Sequence, residues 1–209
     1  MSLTGLFLIL FLLVHLIGNL QLLASDGGKS FNIYSEFMGH NPLIQTVSIG
    51  NFFFILLHAV QGILLAIKNK KAKGSKYAVS PRNNTSWASK NMALLGLLIL
   101  AFIFMHLGHF WYQFKFGSAY SMVSYDGVEI IDAYTRVAEV LTNPIWMISY
   151  LVGLAVLAFH LYHGFSSAFQ TLGLNHRKYT PLIEFLGKAY SFLIPIGFAI
   201  IPLYLYFTK

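Results

Sequence analysis

The sequence predicts an all-α membrane protein with five transmembrane helices, the first four forming a bundle. Three observations predict it. Of the 209 residues, 56% are hydrophobic and only 10% charged, whereas about a quarter of a soluble chain is charged. Five apolar stretches each approach the roughly 20 residues that a helix needs to cross hydrocarbon. Lysine and arginine are divided very unevenly among the connections.

The first span is about Thr4 to Leu23 and ends at the turn cluster SDGGKS. Its opening, MSLTGLFLILFLLVHLIGNL, has no basic region and no small-residue cleavage site, so it reads as a retained helix. Phe31 to Gln45 is semi-polar, holds Glu36 and His40, and reads as a short loop or interfacial helix. The second span is about Thr46 to Ile67, followed by KNKKAKGSK, and the third about Asn91 to Phe114. In the connection from Lys115 to Asn143, Val128, Ile131, Tyr134, Val137, Ala138 and Leu141 recur at helical spacing. Asp132, Arg136 and Glu139 fall on other faces, which predicts an amphipathic helix at the membrane surface. The fourth span is about Pro144 to Thr171 and the fifth about Leu182 to Phe207, with Pro195 and Pro202 inside it. Residues 1–209 read as one transmembrane domain without internal repeats.

Charge sets the expected orientation. Lys68, Lys70, Lys71, Lys73, Lys76, Arg82 and Lys90 follow the second span with no acid among them, and Arg177 and Lys178 follow the fourth. The other two connections carry more acids than bases. The positive-inside rule then puts the lysine-rich connections in the cytoplasm, with the N-terminus inside and the C-terminus outside. The net charge of +7 is thereby explained without nucleic acid.

Histidines lie inside the apolar spans: His15, His58, His106 with His109, and His160 with His163. Ionisable groups in hydrocarbon are costly and mark function. At 1.5 Å per residue, His15 and His106 lie roughly 17–23 Å from the cytoplasmic ends of their spans, and His58 and His160 roughly 12–18 Å. Four helices thus supply two level pairs at two heights, the requirement of two stacked haems each held by two imidazoles. His109 and His163 each follow a neighbour by three residues and face nearly the same way, so spacing leaves them as alternates. There is no cysteine, which excludes disulfides, cysteine-held iron–sulfur clusters and covalent haem. Gly18, Gly62, Gly108 and Gly164 accompany the histidines and would let a flat macrocycle or another helix approach.

VHLIGNL around His15, LLHAVQGI around His58, FIFMH ending at His106, and FHLYHGFSSAFQTLGLNHRKY from Phe159 resemble the cytochrome b subunit of succinate:quinone oxidoreductases. The resemblance is to the single-anchor, five-helix, two-haem type of menaquinone-using bacteria and covers nearly the whole chain. It implies His15 and His106 as ligands of the outer haem b iron, and His58 and His160 as ligands of the inner one. The motif of an aromatic–His pair with a glycine four residues on selects His160 over His163, and the third-span match selects His106 over His109. The resemblance further implies a flavoprotein and an iron–sulfur subunit docked on the cytoplasmic side, with room for a higher oligomer of the complex. Trp87, Ser167, Gln170 and Thr171 are then expected to hold inner-haem propionates, and Glu36 to exchange a proton with menaquinone near the outer haem. The chain would thus be a membrane subunit of a succinate dehydrogenase or fumarate reductase, without the dicarboxylate site itself. Some members carry an acid two residues before the fourth-span ligand; here that position is Ala158.

Two other readings compete. The cytochrome b anchor of a hydrogenase or formate dehydrogenase would serve partners on the outer side, against the charge count. A haem-free transporter would show discontinuous helices around a midplane site, and no such paired breaks are evident outside the fifth span.

Overall fold

The computed structural model describes residues 1–72, 87–118, 120–174 and 176–209. Five helices are long and apolar enough to cross a membrane. The first span is α1 (Ser2–Asn19) with a 3₁₀ turn, Leu20–Leu23, at its end. The second, α3 (Pro42–Ala72), begins four residues before the apolar run and continues past it to Lys70 and Lys71. The short α4 (Trp87–Lys90) precedes the third span, which is α5 (Met92–His109) and α6 (Trp111–Phe116), offset at Phe110. The fourth is α8 (Pro144–Thr171), started by the Asn143 side chain, which accepts from the backbone N–H groups of Ile145 and Trp146, with proline in the first turn. The fifth is α9 (Thr180–Thr208), which runs unbroken through Pro195 and Pro202, so the proline-marked breaks considered for that span do not occur. The lysine-rich reading at Lys73, Lys76 and Arg82 lies outside the described residues.

The connections carry more structure than the spans suggest. The segment after the first span is a helix, α2 (Lys29–His40). The single amphipathic helix expected from Val128 onward is two things instead. Met122–Tyr125 (β1) and Val128–Ile131 (β2) pair antiparallel, Tyr125 opposite Val128, and only then does α7 (Ala133–Thr142) begin. The physical reason is the Asp126-Gly127 turn: both residues adopt positive φ, 54° and 83°, which a two-residue hairpin turn demands. The helical spacing of Val128 and Ile131 was coincidental. From Tyr134 onward a helix does form: of the expected face Tyr134, Val137 and Leu141 are buried and Ala138 only partly so, while Val140, outside that set, is buried too.

Contacts run α1 to α3, α3 to α5, α5 to α8 and α8 back to α1, so four spans close a ring. α1 faces α5, and α3 faces α8, across the middle of the bundle. α9 packs outside this ring against α8, α1 and α7. The densest packing is at one end, where Leu22, Phe31, Tyr134, Val137, Leu141, Tyr150, Ile201 and Leu205 form one cluster. Asn32, 1% exposed, ties that end together: its amide donates to Asp132 Oδ1 (3.0 Å) and Tyr125 Oη (3.2 Å), and its carbonyl accepts from Tyr134 N (2.7 Å). Gly28 holds φ +93° directly beneath the Tyr134 ring, where a side chain would be both strained and in collision. The opposite end carries Lys68, Lys70, Lys71 and Lys90.

Candidate functional site

The middle of the ring holds a cavity of about 2130 Å³, partly open to the outside and lined by all four of its spans. That is about twice the upper end, roughly 1,000 Å³, of ordinary small-molecule pockets. Six histidines border it: His15, His40, His58, His106, His160 and His163, of which four form two facing pairs. His15 on α1 and His106 on α5 face one another, ring centres 5.9 Å apart and planes at 87°. His58 on α3 and His160 on α8 do the same at 6.3 Å and 68°. Each pair therefore joins helices on opposite sides of the ring, and the first pair lies nearer the packed end. The separation within a pair has a chemical meaning. An imidazole nitrogen sits about 2 Å from a metal it binds, so two rings on either side of one ion have centres roughly 6 Å apart.

Local contacts orient the rings. Thr4 Oγ1 donates its only proton to Met1 O (2.8 Å) and lies 3.1 Å from His58 Nδ1. The hydroxyl must therefore accept from Nδ1–H, which leaves the lone pair of His58 on Nε2. Asn19, one turn after His15, places its amide 2.7 Å from His15 O and 3.4 Å from Nδ1. His106 Nδ1 and His160 Nδ1 are buried without a hydrogen-bond partner, and so is Asn51 Oδ1, which also faces the cavity. Phe11 and Phe198 flank His15; Phe102, Phe110 and Tyr150 flank His106.

The neighbouring histidines are placed differently. His109 Nδ1 lies 3.2 Å from Tyr150 Oη, its ring stacks on that of Tyr150, and its carbonyl accepts from Arg136 Nε. It does not line the cavity. His163 borders both the cavity and a second pocket between α8 and α9. Ser167 borders both spaces and Thr171 the main one, its hydroxyl spent on Ser167 O (2.7 Å). Gln170 lines the second pocket instead, and Trp87 is 60% exposed, against Phe159. Glu36 does line the main cavity, beside the packed end, with Oε1 3.0 Å from His40 Nδ1.

Some site residues escaped the sequence reading. Gly5 approaches the His58 ring and Gly96 the His160 ring. Of the four glycines expected there, Gly62 and Gly164 line the cavity, whereas Gly18 packs beneath Tyr34 and Gly108 meets nothing. Asn51 was visible in advance as a lone amide in an apolar run. Thr4 carried no signal, because a hydroxyl near a span's end is commonplace.

Fold and cavity define a class: an all-α, multi-pass membrane protein whose bundle core carries imidazoles in two facing pairs. The chain is 26% identical over 189 residues, 87% of its length and 84% of the relative's, to the succinate dehydrogenase cytochrome b558 subunit of Bacillus subtilis (strain 168). No protein-family model matches it, and no solved structure matches it significantly.

Proposed function

We propose that the chain is the di-haem b membrane anchor of a succinate dehydrogenase or fumarate reductase. It carries electrons between an iron–sulfur subunit and menaquinone. The observation that carries this reading is the pair of cross-bundle imidazole separations, 5.9 and 6.3 Å, each suited to one iron between two rings. The cavity has the size for large planar groups, and the name of the curated relative points the same way. Among the described residues no three of His, Cys, Asp and Glu converge. Two imidazoles facing each other suit a metal whose remaining ligands come from a macrocycle.

Bound haem b would supply one-electron redox chemistry. The rest falls to the chain. His15 and His106 would hold the outer iron, and His58 and His160 the inner. Thr4 fixes which nitrogen of His58 is free. Ser167, in the cavity wall, would meet a propionate at the inner level, whereas the Thr171 hydroxyl beside it already donates to Ser167 O. Glu36, with His40 beside it, would take and return the proton of menaquinone at the packed end. The lysine-rich end would face the cytoplasm, where the iron–sulfur and flavoprotein subunits dock, with the N-terminus inside.

The test is haem per chain on purified protein, measured as the pyridine haemochrome. Two haem b per chain are expected. One or none would overturn the proposal.

A further inference from the structure

A second pocket, about 220 Å³, lies on the flank of the bundle between α8 and α9. Its polar wall is built from two facing stripes. His163, Ser166, Ser167 and Gln170 stand at i, i+3, i+4 and i+7 along α8, and Glu184 and Lys188 at i and i+4 along α9. Among the described residues none of these six side chains has a hydrogen-bond or ion-pair partner within the chain. Unpaired polar groups facing each other between membrane helices are costly unless something joins them.

Depth indicates what joins them. α8 and α9 have 28 and 29 residues, or about 42–44 Å at 1.5 Å each, against a hydrocarbon layer of about 30 Å. Roughly 6 Å of each helix end therefore sits among headgroups. Glu184 lies four residues, about 6 Å, from the start of α9, at that boundary. Lys188 lies one turn deeper, and its long stem reaches back to the same level. The pocket falls below the roughly 300 Å³ at which sites for whole drug-sized molecules begin. It suits a headgroup whose chains remain in the bilayer.

We infer that this pocket is a binding site for a zwitterionic aminophospholipid of the phosphatidylethanolamine type. Lys188 and the Ser166 hydroxyl donate to the phosphate oxygens. Glu184 accepts from the headgroup ammonium, and Gln170 bridges the two. Charge-assisted bonds of opposite sign at two ends of one pocket favour a headgroup carrying both charges. A choline headgroup carries both charges but has no N–H to give Glu184; a glycerol headgroup has no cation at all.

The test uses the purified full chain, stripped of lipid in detergent and titrated with dioleoyl phosphatidylethanolamine, phosphatidylcholine or phosphatidylglycerol. Lipid retained per chain is read by native mass spectrometry. One phosphatidylethanolamine should be held at least tenfold more tightly than either other lipid. Glu184→Gln and Lys188→Gln should each abolish that preference, while Lys209→Gln, at the opposite end of α9, should keep it. Unchanged helicity by circular dichroism will show that the variants fold. Equal retention of the three lipids, or preference surviving both pocket variants, overturns the inference. So does tighter binding of soluble O-phosphoethanolamine than of the lipid, which would assign the pocket to a free metabolite. The haem count is unaffected by any of these outcomes, so this inference and the proposed function fail separately.

Discussion

The two ends of the packing scale sit side by side in this molecule. Near the hairpin, α2, α7, α8 and α9 interlock around Leu22, Tyr134 and Leu205, and Leu205 is wholly buried. A few turns away, the same α8 helps to wall a space of about 2130 Å³. Protein interiors are close-packed, with few voids larger than a water. A hollow this size in the middle of a ring is therefore a designed place, not a packing flaw. The contrast teaches a division of labour. The packed end joins the first, third, fourth and fifth spans by ordinary side-chain contacts. The hollow carries the facing imidazoles.

The largest expected effect breaks the hollow. Replacing His160 or His58 by alanine should lower haem from two per chain to one, and likewise His15 or His106. His163→Ala should leave two, because the ring that faces His58 across the bundle is that of His160. His109→Ala should also leave two, because His109 is engaged by Tyr150. The haemochrome assay measures all six variants. Loss of haem from the His163 variant but not the His160 variant would reverse the ligand assignment.

Next in size is damage to the packed end. Leu205→Ala deletes a wholly buried side chain and should cost about 2–5 kcal/mol, read from thermal unfolding of the purified chain. The folded fraction should still bind two haems, since Leu205 does not line the cavity. Gly28→Ala should cost less, about 1–3 kcal/mol, from the positive φ and the Tyr134 ring above it. If either variant instead lost haem without losing stability, the separation of the two regions would be false.

Much of this was legible in the sequence, for identifiable reasons. Apolar runs near 20 residues over-determine a span, and a fixed rise per residue converts position into depth, so His15 levels with His106 and His58 with His160. Faces were harder to read. His106 and His109 differ by three residues and roughly 60° of rotation, and only the neighbour at Tyr150 separates them. Gln170, three residues past Ser167, reaches only the flank pocket, whereas Ser167 borders both spaces and Thr171 the main one. The hairpin was missed for another reason. Val128 and Ile131 fit a helical period, and the Asp126-Gly127 turn signal, which outranks it, went unweighed.

The smallest effect is a pH dependence confined to the packed end. Partial burial would raise the Asp132 carboxyl. The backbone and side-chain hydrogen bonds from Thr135 and the amide of Asn32 outweigh that and hold it below the ordinary aspartate value. A group whose folded pKa is depressed adds stability that is complete above the unfolded value of about 3.9 and is lost as pH falls through the folded one. Acid below about pH 4 should therefore loosen the start of α7, seen as faster amide exchange at Tyr134 and Thr135, while the haem spectrum stays unchanged. Asp132→Asn separates charge from capping, because asparagine also caps a helix start. That variant should retain α7 at neutral pH and lose the acid sensitivity. If the variant kept it, the titrating group would lie elsewhere at that end, with Asp26, hydrogen-bonded by Ser30 and likewise lowered, the next to replace.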